Sequence, residues 1–153
     1  VWSVSADIVI RPVEADQQSS WLPLWRGYQA FYKVDIPDDV SAVTWARLLD
    51  AGEPVHGALA WQGDRAVGLV HYLFHRSTWM VENYCYLNDL FVDPEVRGGG
   101  IGRALIEHVY ASAQAKGTRR VYWLTHETNA TAIKLYEQVA QRPGFVQFYR
   151  ILP

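Results

Sequence analysis

The sequence predicts a mixed α/β fold, with antiparallel hairpins first and a parallel crossover near the middle. Three observations carry that expectation. The chain has 153 residues, half of them hydrophobic and 20 % charged, enough to bury one core without disulfide staples. Two apolar runs flank Gly63-Asp64, a turn pair that reads as a β-hairpin. From about Tyr84 onward, strand-like and helix-like segments alternate, the pattern of a βαβ crossover. No linker, repeat or low-complexity stretch interrupts the chain, so residues 1–153 read as a single domain.

The elements follow in order. Ile8–Val13 is β-rich, and Pro12 marks an edge or a strand end. Ser19 or Ser20 offers an N-cap, which places Pro23 in the first helical turn, where proline is tolerated. Trp21, Trp25, Tyr28 and Tyr32 then share one helix face. Pro37 bars continuation, and a second helix is predicted over Ser41–Asp50. His56–Trp61 and Ala66–Phe74 form the hairpin strands, and a further strand runs from about Tyr84 to Val92, ending at Asp93-Pro94. Ile101, Leu105, Val109 and Ala113 recur every four residues in a helix closed by Gly117. Arg120–Thr125 is a strand, Thr128 or Asn129 caps a helix through Val139, and Pro143-Gly144 leads into a last strand, Phe145–Ile151.

Composition excludes several function classes. A net charge of −2 argues against a nucleic-acid-binding domain, whose footprint is strongly basic. The single cysteine, Cys85, rules out an intrachain disulfide and a cysteine-based zinc site, and it reads as a small buried hydrophobe. The scattered histidines make no metal-binding pattern, so no metal is expected. No apolar run reaches the ~20 residues needed to cross a bilayer. Val1–Val4 lack the pattern of a secretory signal, so the cytoplasm is the expected compartment.

The glycine loop points to a ligand. Gly98, Gly99, Gly100 and Gly102 lie between a strand and a helix, flanked by Arg97 and Arg103. Backbone N–H groups at a helix N-terminus form an anion site, so a phosphate or pyrophosphate fits. A Walker loop needs Gly-Lys-Ser/Thr, which is absent, and the dinucleotide fingerprint fails at Arg103 and Leu105. A glycine-rich turn without ligand stays open at this point.

The string Arg97-Gly98-Gly99-Gly100-Ile101-Gly102 resembles the coenzyme A loop of the GNAT superfamily of N-acetyltransferases. Tyr86–Pro94 looks like that family's central strand, Asn129-x-x-Ala132-x-x-Leu135-Tyr136 like its second motif, and Gly144-Phe145 like the entry to its last strands. Thr125–Asn129 and the Tyr28–Phe31–Tyr32 helix resemble the branch containing the yeast histone and polyamine acetyltransferases. The resemblance implies the GNAT fold: a twisted, mostly antiparallel sheet with a splayed parallel strand pair and about four flanking helices.

It also implies a chemistry. Acetyl-CoA would lie where the strands splay, with pyrophosphate on the N–H groups of Arg97, Gly98, Gly99, Gly100, Ile101, Gly102 and Arg103. Backbone groups of Leu90, Phe91 and Val92 would bind the pantetheine arm and polarise the thioester carbonyl. Asn129 would contact the cofactor, and Tyr136 would protonate the departing thiolate as well as touch the cofactor. An acceptor amine must lose a proton before attack; Asp89 is the leading base, with Glu82 and Glu127 as alternatives, each of which could equally be a salt-bridged or solvated carboxylate. Tyr28, Phe31, Tyr32 and Asp89 would wall the acceptor site, and Asp35, Asp38, Asp39 and Glu82 could line its entrance. The implied reaction is transfer from acetyl-CoA to a primary amine of a small amine, polyamine, amino acid or protein lysine, in a homodimer by analogy, with no nucleic acid, membrane or metal involved. An acyl-CoA sensor without turnover, or a transferase of another acyl group, is the alternative.

Overall fold

The computed structural model describes residues 7–96 and 98–153; the Val1–Val4 start and Arg97 of the glycine loop lie outside them. The backbone divides into two compact units, the first ending at Trp123 and the second spanning Leu124–Pro153.

The first unit is built on a five-stranded sheet whose spatial order follows the chain: β1 (Ile8–Pro12), β2 (Val55–Gln62), β3 (Arg65–His75), β4 (Tyr84–Val92) and β5 (Arg120–Tyr122). The first three pairings are antiparallel, and β4 pairs β5 in parallel. Helices α1 (Gln18–Phe31) and α2 (Asp38–Leu49) precede the hairpin, and α3 (Ile101–Ala115) crosses from β4 to β5. This is the expected mixed α/β architecture.

Alternation along β3 separates the two faces of the sheet. Leu69 joins a core with Trp21, Leu24, Trp25 and Trp45 of α1 and α2. Gly68, one residue away, faces α3, where a Cβ would meet Leu105 at 3.1 Å and Ile101 at 3.3 Å. The indole of Trp21 is fully buried, its centroid 5.0 Å from Trp45 and 5.9 Å from Trp25. Helix α1 lies so close to β4 that a Cβ on Gly27 would sit 2.8 Å from the Phe91 ring. Helix α3 closes with a Schellman pair, Thr118 N–H to Ala113 O at 2.9 Å and Gly117 N–H to Gln114 O at 3.0 Å, with Gly117 at φ +75°.

Four expectations are corrected. Helix α1 starts before Ser19, because a 3₁₀ turn at Ala15–Gln17 leads into it. That turn is closed by Glu14 N–H to Gln17 Oε1 at 2.9 Å and Gln17 Nε2 to Glu14 Oε2 at 3.2 Å. Pro23 therefore sits inside the helix; the carbonyl that loses its donor belongs to exposed Ser19, where water can serve instead. Helix α2 begins at Asp38, where the helix dipole favours Asp38 and Asp39.

Strand β5 ends at Tyr122 rather than Thr125, for a reason set out below. The second unit contains α4 (Ala130–Val139), but residues 140–153 form neither helix nor strand. A strand needs a ladder partner, and within this unit α4 offers none. Phe145, Val146, Phe148, Tyr149, Ile151 and Leu152 are all exposed.

Candidate active site

Strand β4 carries a bulge. His71 pairs with Asp89, but Tyr72 pairs with Leu87, so Asn88 has no opposite residue on β3. Simple alternation would put Asp89 on the opposite face from Tyr86. The extra residue turns it onto the same face, toward α1. A bulge also bends the strand and increases its twist. The β4–β5 ladder ends just before it, at Tyr86↔Tyr122, while β4 runs on to Val92. The parallel ladder thus stops short of residues 90–92, where the resemblance places the thioester.

Asp89 is the centre of a buried hydrogen-bond chain. The Trp21 indole N–H donates to His71 Nε2 at 2.9 Å. An indole nitrogen can only donate, so Nε2 carries the lone pair and the ring proton resides on Nδ1. That proton is donated to Asp89 Oδ2 at 3.0 Å. The Tyr28 hydroxyl faces the same carboxylate and favours its ionised form. His71 and Asp89 are almost wholly shielded, with 5 % and 9 % of their side chains exposed. Burial pushes the Asp89 carboxyl up, but the groups around it, with the hydrogen bond from His71 the strongest of them, outweigh burial and hold the carboxyl below the usual carboxylate range.

Phenols surround this carboxylate. Tyr28 and Tyr32 lie 4.7 Å apart between ring centroids, and Phe31 meets Tyr32 edge-on at 5.0 Å. Burial, followed by the Asp89 charge, raises the hydroxyls of Tyr28 and Tyr32 above their ordinary value, so both stay protonated. Tyr86 is raised by burial, then by Tyr122 and Asp89. Beyond it, Tyr122 donates to His75 Nε2 at 2.7 Å, while His75 Nδ1 donates to the Arg76 carbonyl at 2.8 Å. A wall of aromatic faces thus continues along β4 and β5, with Tyr86 and Tyr122 at 4.9 Å.

The glycine loop supplies a different kind of site. Gly98 (φ +91°) and Gly100 (φ +78°) are left-handed, and a Cβ on either would meet nothing within 4 Å. The backbone is open there, and the first N–H groups of α3 have no intrahelical acceptors. Gly100 accepts the first helical bond, from Ala104 at 3.0 Å. Ile101 is core, Gly99 and Gly102 lie near the surface, and Arg103 is exposed and pairs with Glu107 at 3.0 Å. The loop fits a pyrophosphate by backbone geometry; Arg97 lies outside the described residues.

The remaining sequence candidates are spread out. Leu90 and Val92 are half-buried on β4, whereas Phe91 is buried in the α1 core. Glu82 is half-buried in the segment before β4. Asp35 and Asp38 line a cavity of about 270 Å³ on the Leu22–Arg26–Gln29 flank of α1. Asp38 lies 3.8 Å from Arg26, and Asp39 Oδ1 accepts from Val40 N–H at 3.0 Å. In the second unit, Glu127 is exposed, Tyr136 is half-buried on α4, and Asn129 stands at the helix start, its Nδ2 3.5 Å from Thr125 Oγ1. Burial pushes the Cys85 thiol up to about 12, which leaves it inert. Among the described residues, no three His, Cys, Asp or Glu side chains converge as a metal site. No helix among them is long and apolar enough to cross a membrane.

Sequence reasoning missed Trp21 and His71 as parts of this site. Trp21 was legible only as a core aromatic. The partnership spans 50 residues and leaves no local signal.

The family profile "Acetyltransferase (GNAT) family" matches residues 21–140. The chain belongs to this family. The D-amino-acid N-acetyltransferase HPA3 of Saccharomyces cerevisiae is 41 % identical over 150 residues, covering 96 % of this chain and 92 % of the yeast protein. A thialysine N-epsilon-acetyltransferase of Caenorhabditis elegans is 34 % identical over 85 residues, 56 % of this chain and 52 % of that protein. An aminoglycoside acetyltransferase, meta-AAC0020 from an uncultured soil metagenomic sample, solved with sisomicin, shares the fold at a TM-score of 0.83 and 20 % identity, over 99 % of this chain and 100 % of that one. This GNAT chain is accordingly an enzyme of the acetyl-CoA-dependent N-acetyltransferase class.

Proposed function

We propose that the chain forms one acetyltransferase domain that acetylates the primary amine of a small cationic acceptor, by direct attack in a ternary complex. The observation that carries this reading is the buried Asp89 carboxyl, which accepts from His71 Nδ1–H at 3.0 Å among phenols. An anion with aromatic walls attracts an alkylammonium by charge and by cation–π contact. The yeast relative is named for D-amino acids and the nematode one for thialysine, which favours a small amino-acid-like amine over a protein tail.

Two roles for Asp89 come from the sequence, base and cation anchor. A carboxyl held below its usual range is a poor store for a proton from an ammonium of pKa near 10. Its hydrogen bonds therefore favour the anchor role, with the proton leaving through water and Glu82 or Glu127 as other carriers. Tyr28, Phe31 and Tyr32 form the acceptor wall. The neutral amine attacks the thioester carbon, the C–S bond breaks, the thiolate takes a proton from Tyr136, and the proton that the nitrogen sheds as the amide forms returns through solvent to Tyr136. Gly98 to Arg103, with Arg97, hold the pyrophosphate; Leu90, Phe91, Val92 and Asn129 hold the pantetheine arm. The open left-handed glycines and the end of the β4–β5 ladder support that placement.

We place the enzyme in a reducing compartment such as the cytoplasm, in keeping with its lone cysteine, and as a homodimer, for which exposed Phe145, Phe148 and Ile151 offer apolar surface. The test is release of coenzyme A from acetyl-CoA with a panel of D- and L-amino acids, thialysine, polyamines and lysine peptides. Small cationic amines should turn over, and Tyr136→Phe should lower kcat while acetyl-CoA still binds. Binding of acetyl-CoA without release for any amine would overturn catalysis in favour of a sensor.

A further inference from the structure

The Trp21–His71–Asp89 chain is more than a way of satisfying buried polar atoms. A histidine beside an aspartate ordinarily has a choice: it can take a second proton and neutralise its partner in an ion pair. Here that choice is blocked by geometry. The lone pair that would take the proton is occupied by an indole N–H at 2.9 Å, and Trp21 is fully buried, so the indole is not free to turn away. A protonated ring would set two N–H donors against each other.

We propose that Trp21 and His71 are positioning residues for the acceptor: Trp21 fixes His71 as a neutral Nδ1–H donor to Asp89, so that the site keeps one uncompensated negative charge for a cationic amine. This rests on the reading that the acceptor binds at Asp89. It accounts for a costly arrangement. A carboxylate at this depth needs donors, and cationic donors would cancel the charge that the substrate requires. With Nε2 occupied by the indole N–H, His71 gives Asp89 a hydrogen bond without giving charge.

The surroundings of the ring agree. Among the described residues, the titratable groups around it are Asp89 from β4 and, across Asp89, Tyr28 and Tyr32 from α1 and Tyr86 from β4. Strand β2 presents Gly57, where a Cβ would lie 3.4 Å from the His71 ring. Helix α1 presents the indoles of Trp21 and Trp25, at centroid distances of 5.9 and 5.0 Å. Trp25 gives its own N–H to Ser41 of α2 at 3.1 Å, so it does not compete for His71.

The test uses the full-length enzyme with three variants. Trp21→Phe removes the N–H and frees Nε2. The KM for a cationic amine should then rise about ten- to a hundredfold as pH falls below neutrality, the scale of one charge-assisted hydrogen bond, while kcat and acetyl-CoA affinity change little. His71→Asn added to Trp21→Phe keeps an N–H donor near the Nδ1 position and cannot be protonated, so the double variant should restore a flat KM-against-pH profile. Nitrogen-15 NMR of histidine-labelled wild type should show His71 protonated at Nδ1 and bare at Nε2 throughout the assay range. An Nε2–H tautomer or an imidazolium in the wild type would overturn the inference without reference to activity. So would a Trp21→Phe enzyme, folded by circular dichroism, whose KM keeps the wild-type pH dependence while Asp89→Asn is impaired. If Asp89→Asn itself leaves the acceptor KM unchanged, the acceptor site lies elsewhere and the role of Trp21 and His71 falls with it. A purely structural role would lower Tm and kcat together, with no pH signature.

Discussion

The glycine loop at the start of α3 and the Asp89 pocket hold charge in opposite ways. The loop presents backbone N–H groups, with left-handed Gly98 and Gly100 leaving the approach open. It is made by one short stretch of chain. The Asp89 pocket presents one carboxylate, held by side chains from α1, β3 and β4 that are far apart in sequence. On the proposed function, the first would take an anion with partial charges that cannot titrate. The second would take a cation with a full charge that a neighbouring histidine, once protonated, would cancel. Damage to the two sites should therefore differ in kind, which gives the comparison its tests.

The largest effect belongs to the full charge. Asp89→Asn keeps the shape but removes the anion, and the Nδ1–H of His71 then meets a weaker acceptor. We expect kcat/KM for a cationic amine to fall about a hundredfold, the scale of one or two hydrogen bonds to a charged group. Acetyl-CoA affinity, measured by calorimetry, should stay within about twofold. Equal losses at both ends would mean that the sites are coupled and break the comparison.

Next comes packing that serves the acceptor end. Gly27→Ala would place a methyl 2.8 Å from the Phe91 ring, so α1 or the ring must shift. The expected cost is about 1–3 kcal/mol of stability, read from urea unfolding, although alanine is the better helix former. Because α1 carries Trp21, Trp25 and Tyr28, the acceptor KM should rise more than that of acetyl-CoA. A comparable but backbone-based effect is expected at the other end. Gly100→Ala meets no neighbour, so its cost is the left-handed φ of +78° alone, about 1–2 kcal/mol. That should weaken acetyl-CoA binding about tenfold and leave the acceptor KM alone.

The same contrast explains what the sequence could reveal. The loop's shape is written within a few residues, so glycine spacing and a following amphipathic helix were enough to expect it. The hairpin at Gly63, the extent of β4 and the closure of α3 at Gly117 were local and legible for the same reason. The Asp89 pocket depends on which face Asp89 occupies, and the bulge at Asn88 reverses the period-2 expectation. Nothing in the Asn88-Asp89 pair announces a bulge. The same bend shortens β5. Residues 145–151 have strand-like composition, yet a strand is a property of a pair, and composition does not supply the partner.

The smallest effect is on stability in acid, and its sign follows from the same hydrogen bonds. The folded-state carboxyl of Asp89 lies below its unfolded value near 3.8. A depressed carboxyl contributes stability that is complete above the unfolded value and is lost as pH falls through the folded one. Wild type should therefore be more stable than Asp89→Asn at about pH 6, and the gap should narrow between about pH 4 and pH 2, where Asp89 in the wild type becomes protonated. Urea unfolding of both proteins across that range measures the gap directly. A gap that stays constant would mean that Asp89 gains nothing from ionisation in the folded state. His71 and Tyr28 would then be holding a neutral acid, and the acceptor end would have no charge to set against the glycine loop.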